Sequence, residues 1–297
     1  MNELEHIEQL LLKAERELFN ENYKSVESLS NHALEHCNKD NQDPMILYRI
    51  AFLIFQAGNF EKAEKIWKDA IDESISKNDK STQAFILHNI ATIKANLGHI
   101  TEANYLWEES LSIKEKIDDK KGIAATLNNL AWVYKLEENY KEETSLLIRA
   151  TKLFIEFSMW NEVADNIIKL SESDKENKLS YLIQAFYISI KVYIEPRDFL
   201  YILTNIIETI GIENKYSKYF VALSILINKD FENEEVIRVT QQLLLAVALA
   251  QSINEENIKQ WFETNELGNL KALLENLQKA FEELNQNKEW LFDPNIL

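Results

Sequence analysis

Leu47-Tyr48-Arg49-Ile50-Ala51, Leu87-His88-Asn89-Ile90-Ala91 and Leu127-Asn128-Asn129-Leu130-Ala131 repeat one large–apolar–small pattern, each copy 40 positions after the last. The register continues downstream. Gly58, Gly98 and Glu138 come next, then Phe60, Ile100 and Tyr140, then Ala63, Ala103 and Glu143, then Trp67, Trp107 and Leu147. Self-similarity at a period of about 20–50 residues marks an array of small units, none of which can bury its apolar face alone. Such a chain of 297 residues can form one continuous body rather than two ordinary domains.

Within each unit two apolar patterns at helical spacing flank a turn. The second unit reads as a helix over Pro44–Ala57, a turn at Gly58 and a helix over Asn59–Ile75. Pro44 suits a first helical position, where its missing N–H costs nothing, and Gly58 suits a left-handed residue just past a helix end. The third unit is expected as Ala84–Leu97 and Ile100–Ile117, and the fourth as Ala124–Leu136 and Tyr140–Phe157. Ala51, Ala91 and Ala131 let the second helix approach the first, Ala63 and Ala103 answer them, and Trp67, Trp107 and Leu147 fill the space between hairpins. Only five Gly and three Pro in the whole chain agree with long helices on short turns, so the expected class is all-α.

Four segments follow. Residues 1–43 hold an N-terminal repeat-like hairpin, through Leu10, Ala14, Tyr23, Val26 and Ala33. Residues 44–157 are the three well-matched units. Residues 158–231 are degenerate hairpins, the second turning at Gly211, and 232–297 are capping helices with an apolar tail.

Charge and processing signals narrow the function classes. The net charge is −17, with −5 on residues 1–40 and −5 on 241–297. An acidic surface without clustered Lys or Arg repels phosphate backbones and anionic lipid, so neither nucleic acid nor membrane is an expected partner. The N-terminal stretch has no basic-then-apolar signal pattern, and Leu243–Ala250 is too short to span a bilayer. A lone cysteine, Cys37, fits a reducing compartment. A cytoplasmic location is expected.

The pattern resembles the tetratricopeptide repeat family. The residues that carry the likeness are Leu47, Ile50, Ala51, Gly58, Phe60, Ala63, Trp67 and Ala70, then Leu87, Ile90, Ala91, Gly98, Ile100, Ala103 and Trp107, with Ser110 replacing the last Ala. The period of 40 exceeds the usual ~34. It is similar to the longer-helix subgroup of kinesin light chains and bacterial peptide-sensing regulators, of which Leu-Asn-Asn-Leu-Ala at 127–131 is typical. The resemblance implies a right-handed superhelical solenoid of antiparallel hairpins with a helical C-terminal cap, whose inner groove is lined by the first helix of each hairpin.

The groove positions would then hold Tyr48, Arg49, Phe52 and Phe55 in the second unit, Phe85, His88, Asn89, Thr92 and Asn96 in the third, and Asn128, Asn129, Trp132 and Lys135 in the fourth. Amides offer both donor and acceptor to an extended peptide backbone, and aromatics supply the buried area of a hot spot. The expected role is an adaptor or scaffold that holds a peptide or protein segment there. The alternatives are that these side chains pack between neighbouring helices, or that a peptide ligand tightens the superhelix and so regulates another protein. A clamp for a C-terminal carboxylate does not fit, because its second position here holds Met45, Phe85 and Ala125.

Chemistry-bearing constellations are sparse. His32 and His36 lie one helical turn apart beside Cys37, but no second cluster completes a metal site. The five glycines are isolated, so no phosphate loop is formed, and no catalytic constellation stands out around Cys37, His88 or His99. No cofactor, metal or catalytic residue is expected, and the chain does not read as an enzyme.

At the C-terminus Leu270, Leu274, Leu277, Phe281 and Leu284 are spaced like a short coiled-coil seam, for capping the array or for docking a partner or a second copy. Trp290, Leu291 and Phe292 form an apolar tail cluster that either folds back or inserts elsewhere.

Overall fold

The computed structural model describes residues 3–37, 43–192, 195–230, 234–253, 257–284 and 291. Among them every regular element is a helix. Chain order gives α1 (Glu3–Phe19), α2 (Tyr23–Glu35), α3 (Pro44–Gln56), α4 (Phe60–Ser76), α5 (Lys80–Asn96), α6 (Ile100–Lys116), α7 (Lys120–Leu136) and α8 (Tyr140–Glu156). It continues with α9 (Trp160–Ser173), α10 (Lys178–Ser189), α11 (Pro196–Ile210), α12 (Ser217–Asp230), α13 (Glu234–Ala250), α14 (Ile258–Thr264) and α15 (Leu270–Leu284). No described helix is long and apolar enough to cross a membrane.

The junctions explain the 40-residue period. Helices α4 to α8 are each 17 residues long and are separated by three residues, so one helix and one junction make 20 and one hairpin makes 40. The middle residue of each junction is left-handed: Gly58, Asn78, Gly98, Asp118, Glu138 and Ser158 have φ of 94°, 54°, 83°, 55°, 58° and 54°. The next amide then reaches back five residues, as Asn59 N–H to Ile54 O at 3.1 Å and Asp79 N–H to Ser74 O at 2.9 Å. This is the Schellman closure, which satisfies carbonyls that a helix end leaves open. At several junctions the same third residue caps the following helix, with Asn59 Oδ1 accepting from Lys62 N–H and Asp79 Oδ1 from Thr82 N–H; His99 and Met159 supply no such side-chain cap.

Those caps move two boundaries. The helices expected from Ala84 and Ala124 start four residues earlier, at Lys80 and Lys120, because Asp79 and Asp119 cap the first turn there, Asp119 through Gly122 N–H at 3.0 Å. The α3 helix does begin at Pro44, where Asp43 Oδ1 accepts from Met45 and Ile46 N–H.

The chain divides into two compact units, Met1–Val133 and Tyr134–Leu297. In the first, α1 packs on α2, α3 on α4 and α5 on α6, and α1, α3 and α5 lie in succession. Ala51, Ala63, Ala91 and Ala103 are all fully buried, and Trp67 and Trp107 are buried beside them. Ser110, standing where Ala70 stands in the previous hairpin, donates its Oγ–H to Ala84 O at 2.7 Å and so satisfies its hydroxyl.

In the second unit the regular pattern gives way around α10. Nine of its residues, from Ser180 to Ser189, are buried, on all sides of the helix. An element apolar all round belongs at a centre, and α9, α11 and α15 pack against it. Phe186 meets Phe199 and Phe220 at 5.9 and 5.1 Å. Helix α15 therefore folds back on α10 and α12, through Phe281 against Tyr187 and Phe220.

Candidate functional site

The sequence-derived binding residues of the first unit sit on α3, α5 and α7, and the fold sorts them. Tyr48 is stacked beside Phe52, at 6.5 Å between centroids, and meets Phe85 edge-on at 5.6 Å. Phe85 is 45% exposed and Trp132 is 40% exposed, with Trp132 resting edge-on against the buried Trp107 at 6.4 Å. Phe55 turns instead into the α3–α4 hairpin, against Phe60 and Trp67 at 5.0 and 5.4 Å. Phe55 is thus a packing contact of that hairpin.

The polar residues divide similarly. Arg49 donates to Glu8 and Glu15 of α1, both at 2.8 Å, so its guanidinium ties neighbouring hairpins together. Within the second unit, Lys135 is paired with Glu172 at 2.7 Å, and the hydrogen bond to that carboxylate raises its pKa above the ordinary lysine value. Asn89 donates through Nδ2 to Phe85 O and Thr92 through its hydroxyl to His88 O, at 2.8 and 3.0 Å. Asn89 thereby keeps its side-chain carbonyl as an acceptor. Asn96 is exposed and Asn129 half-buried, while Asn128 Oδ1 is buried with no hydrogen-bond partner.

His88 belongs to a buried polar knot. Thr126 donates its hydroxyl to Gly122 O at 2.7 Å and accepts from Lys114 Nζ at 2.9 Å, with His88 Nδ1 3.1 Å away. Satisfying all three bonds at once puts a proton on Nδ1 and leaves Nε2 as an acceptor. Burial, with the Lys114 ammonium adding to it, pushes His88 down to about 4; burial also pushes Lys114 down to about 8. The imidazole is neutral at pH 7.

A cluster the sequence left incomplete is closed by α1. His6 lies against His32 of α2 and His36 at its C-cap, with ring centroids 5.7 and 4.7 Å apart. The spacing of His32 and His36 was visible in sequence, but His6 stands 26 positions away and nothing local announces it. Cys37 is not drawn in: its Sγ lies 3.5 Å from Ala33 O, and burial raises the thiol to about 11.

The proposed C-terminal seam is rotated. The buried residues of α15 are Ala272, Leu273, Leu277, Ala280 and Phe281, whereas Leu270 and Leu274 are 52% and 41% exposed. Leu291 N–H donates to Gln184 Oε1 at 2.9 Å, folding the chain back onto α10 at that point. Trp290 and Phe292 lie outside the described residues.

Residues 82–156 match the tetratricopeptide repeat family model. No curated protein matches the chain. Among solved structures, BtubC (BKLC) from P. vanneervenii aligns with a TM-score of 0.50 at 16% identity, over 83% of this chain and 92% of its own. A signal transduction ATPase with numerous domains, carrying a tetratricopeptide repeat sensor, from Pyrococcus horikoshii, aligns with a TM-score of 0.51 at 15% identity. That alignment covers 96% of this chain and 39% of the ATPase. At such identities the likeness is one of fold, and it agrees with the 20-residue helix-plus-junction spacing and the buried small-residue register. Residues 82–156 are the segment that matches the tetratricopeptide repeat family model, and the chain's helical-hairpin fold is the one those structures share.

Proposed function

We propose that the protein is a non-enzymatic adaptor that holds an extended peptide or protein segment against the face made by α3, α5 and α7. The observation that carries this reading is the exposure of Phe85 and Trp132 on successive first helices, each braced by another aromatic ring. Exposed aromatics held rigid from beneath bury much area at little entropic cost, the usual property of a hot spot. Asn89 and Asn129 lie beside them and supply acceptors and donors for a peptide backbone. Arg49 and Lys135 are occupied by carboxylates, so an apolar anchor suits this face better than an anionic one.

A photo-crosslinking residue placed at Phe85 or at Trp132 tests the reading in native cells. One partner trapped from both positions, and not from Tyr105 (65% exposed, on α6), supports it. Equal trapping from Tyr105 refutes it. A partner peptide that also compacts the chain in small-angle scattering identifies a peptide-gated regulator rather than a passive adaptor.

A further inference from the structure

The imidazoles of His6, His32 and His36 bring one ligand atom each to within 4.8 Å of one another. Nε2 of His32 and Nε2 of His36 share a hydrogen bond 3.2 Å long, whose proton moves to the other ring nitrogen when an ion takes its place. A tetrahedral ion with metal–nitrogen bonds of about 2.0–2.1 Å needs nitrogens about 3.3 Å apart. Two of the three corners are therefore already set, and rotation of the half-buried His6 side chain closes the third. The i, i+4 spacing on α2 fixes the first pair on one helix face, and the α1–α2 hairpin fixes the approach of His6. The surroundings favour a cation: Glu3 and Glu5 stand in the first turn of α1, and residues 1–40 carry −5.

We infer that His6, His32 and His36 form a binding site for one divalent transition-metal ion, which staples α1 to α2. Three imidazole nitrogens select borderline ions such as Zn²⁺, Co²⁺, Ni²⁺ and Cu²⁺ over Mg²⁺ and Ca²⁺, which prefer oxygen. The remaining coordination positions of the ion are open to water or to an added ligand.

The test is Zn²⁺ calorimetry and Co²⁺ absorption on the full chain carrying no histidine tag, alongside His6→Ala, His32→Ala and His36→Ala. Loss of a residue that only orients a ligand weakens metal sites by about 10–100-fold, so each lost ligand is expected to weaken binding at least about tenfold. Binding of one ion per chain, with slower hydrogen exchange in both α1 and α2, is the expected result. His32 is exposed, so its replacement leaves the fold intact, and circular dichroism checks all three variants. If His6→Ala binds Zn²⁺ as well as the parent chain and keeps the slower exchange, the ion sits on the α2 pair alone and the inference is overturned. It is equally overturned if the parent chain shows neither heat nor a Co²⁺ band.

Discussion

Phe85 meets Tyr48 edge-on, 5.6 Å between ring centroids, and so joins α5 to α3 through an aromatic contact at the margin of the core. Tyr48 is in turn stacked on Phe52. Both contacts hold their rings rigid at the surface of the first unit. A double-mutant cycle of Tyr48→Ala and Phe85→Ala is expected to give a coupling of about 0.5–1.5 kcal/mol in urea unfolding. Strict additivity would mean that the two rings stand independently.

The knot around Thr126 gives a pH signature. His88 has a folded-state pKa of about 4 against an ordinary 6.5, so the unfolded chain binds that proton more tightly. Its contribution to stability is present above pH 6.5 and is lost as pH falls toward 4, by on the order of 3 kcal/mol. Lys114→Met removes the repelling ammonium and is expected to raise the His88 pKa, whereas Asp119→Asn is expected to lower it further. Imidazole shifts followed by NMR decide this, and titration near 6.5 in the parent chain would contradict it.

Glu143 is buried at 2% exposure, with Oε2 lacking a hydrogen-bond partner, at the repeat position filled by Ala63 and Ala103. A buried carboxylate oxygen without a hydrogen-bond partner is costly even with the Lys135 charge acting on the group, and Ala is also the better helix former. Glu143→Ala is expected to stabilise the chain by about 1–2 kcal/mol, since Lys135 keeps its partner Glu172. A lower thermal midpoint in this variant would show that the carboxylate has a use.

The junctions supply a prediction of opposite signs. Glu138 is left-handed, with φ of 58°, at the position where Gly58 and Gly98 stand in earlier hairpins. Glu138→Gly is expected to stabilise by about 1 kcal/mol by removing that backbone strain. Gly98→Ala is expected to destabilise by a similar amount; a Cβ there meets nothing within 4 Å, so its cost is conformational alone. Calorimetry on the two variants should separate them.

The repeat register was legible in the sequence because close helix packing demands small and large residues at fixed spacing, as Ala51, Ala91, Trp67 and Trp107 show. The junctions were half legible. Gly58 and Gly98 announce a left-handed residue and Asn78 and Asp118 tolerate one, but Glu138 and Ser158 do not signal it, because packing of the flanking helices overrides their own preference. The caps at Asp79 and Asp119 were readable signals that went unused, and they account for the two late helix starts. Partnerships across hairpins left no local trace: Arg49 finds Glu8 41 positions away, and Thr126 gathers His88 from 38. On α15 both faces carry Leu, so periodicity picked Leu277 and Phe281 of the buried set but could not choose Leu273 over Leu270 and Leu274.

The central claim is that Phe85 and Trp132 are the anchors of a peptide-binding face. Peptides selected against the full chain from a random display library, then measured by fluorescence polarisation, test it most directly. Binding is expected to fall by about tenfold or more in Phe85→Ala/Trp132→Ala of unchanged helicity, with peptide-induced hydrogen-exchange protection on α3, α5 and α7. Undiminished affinity in that variant, or protection confined to α12–α15, would contradict the account.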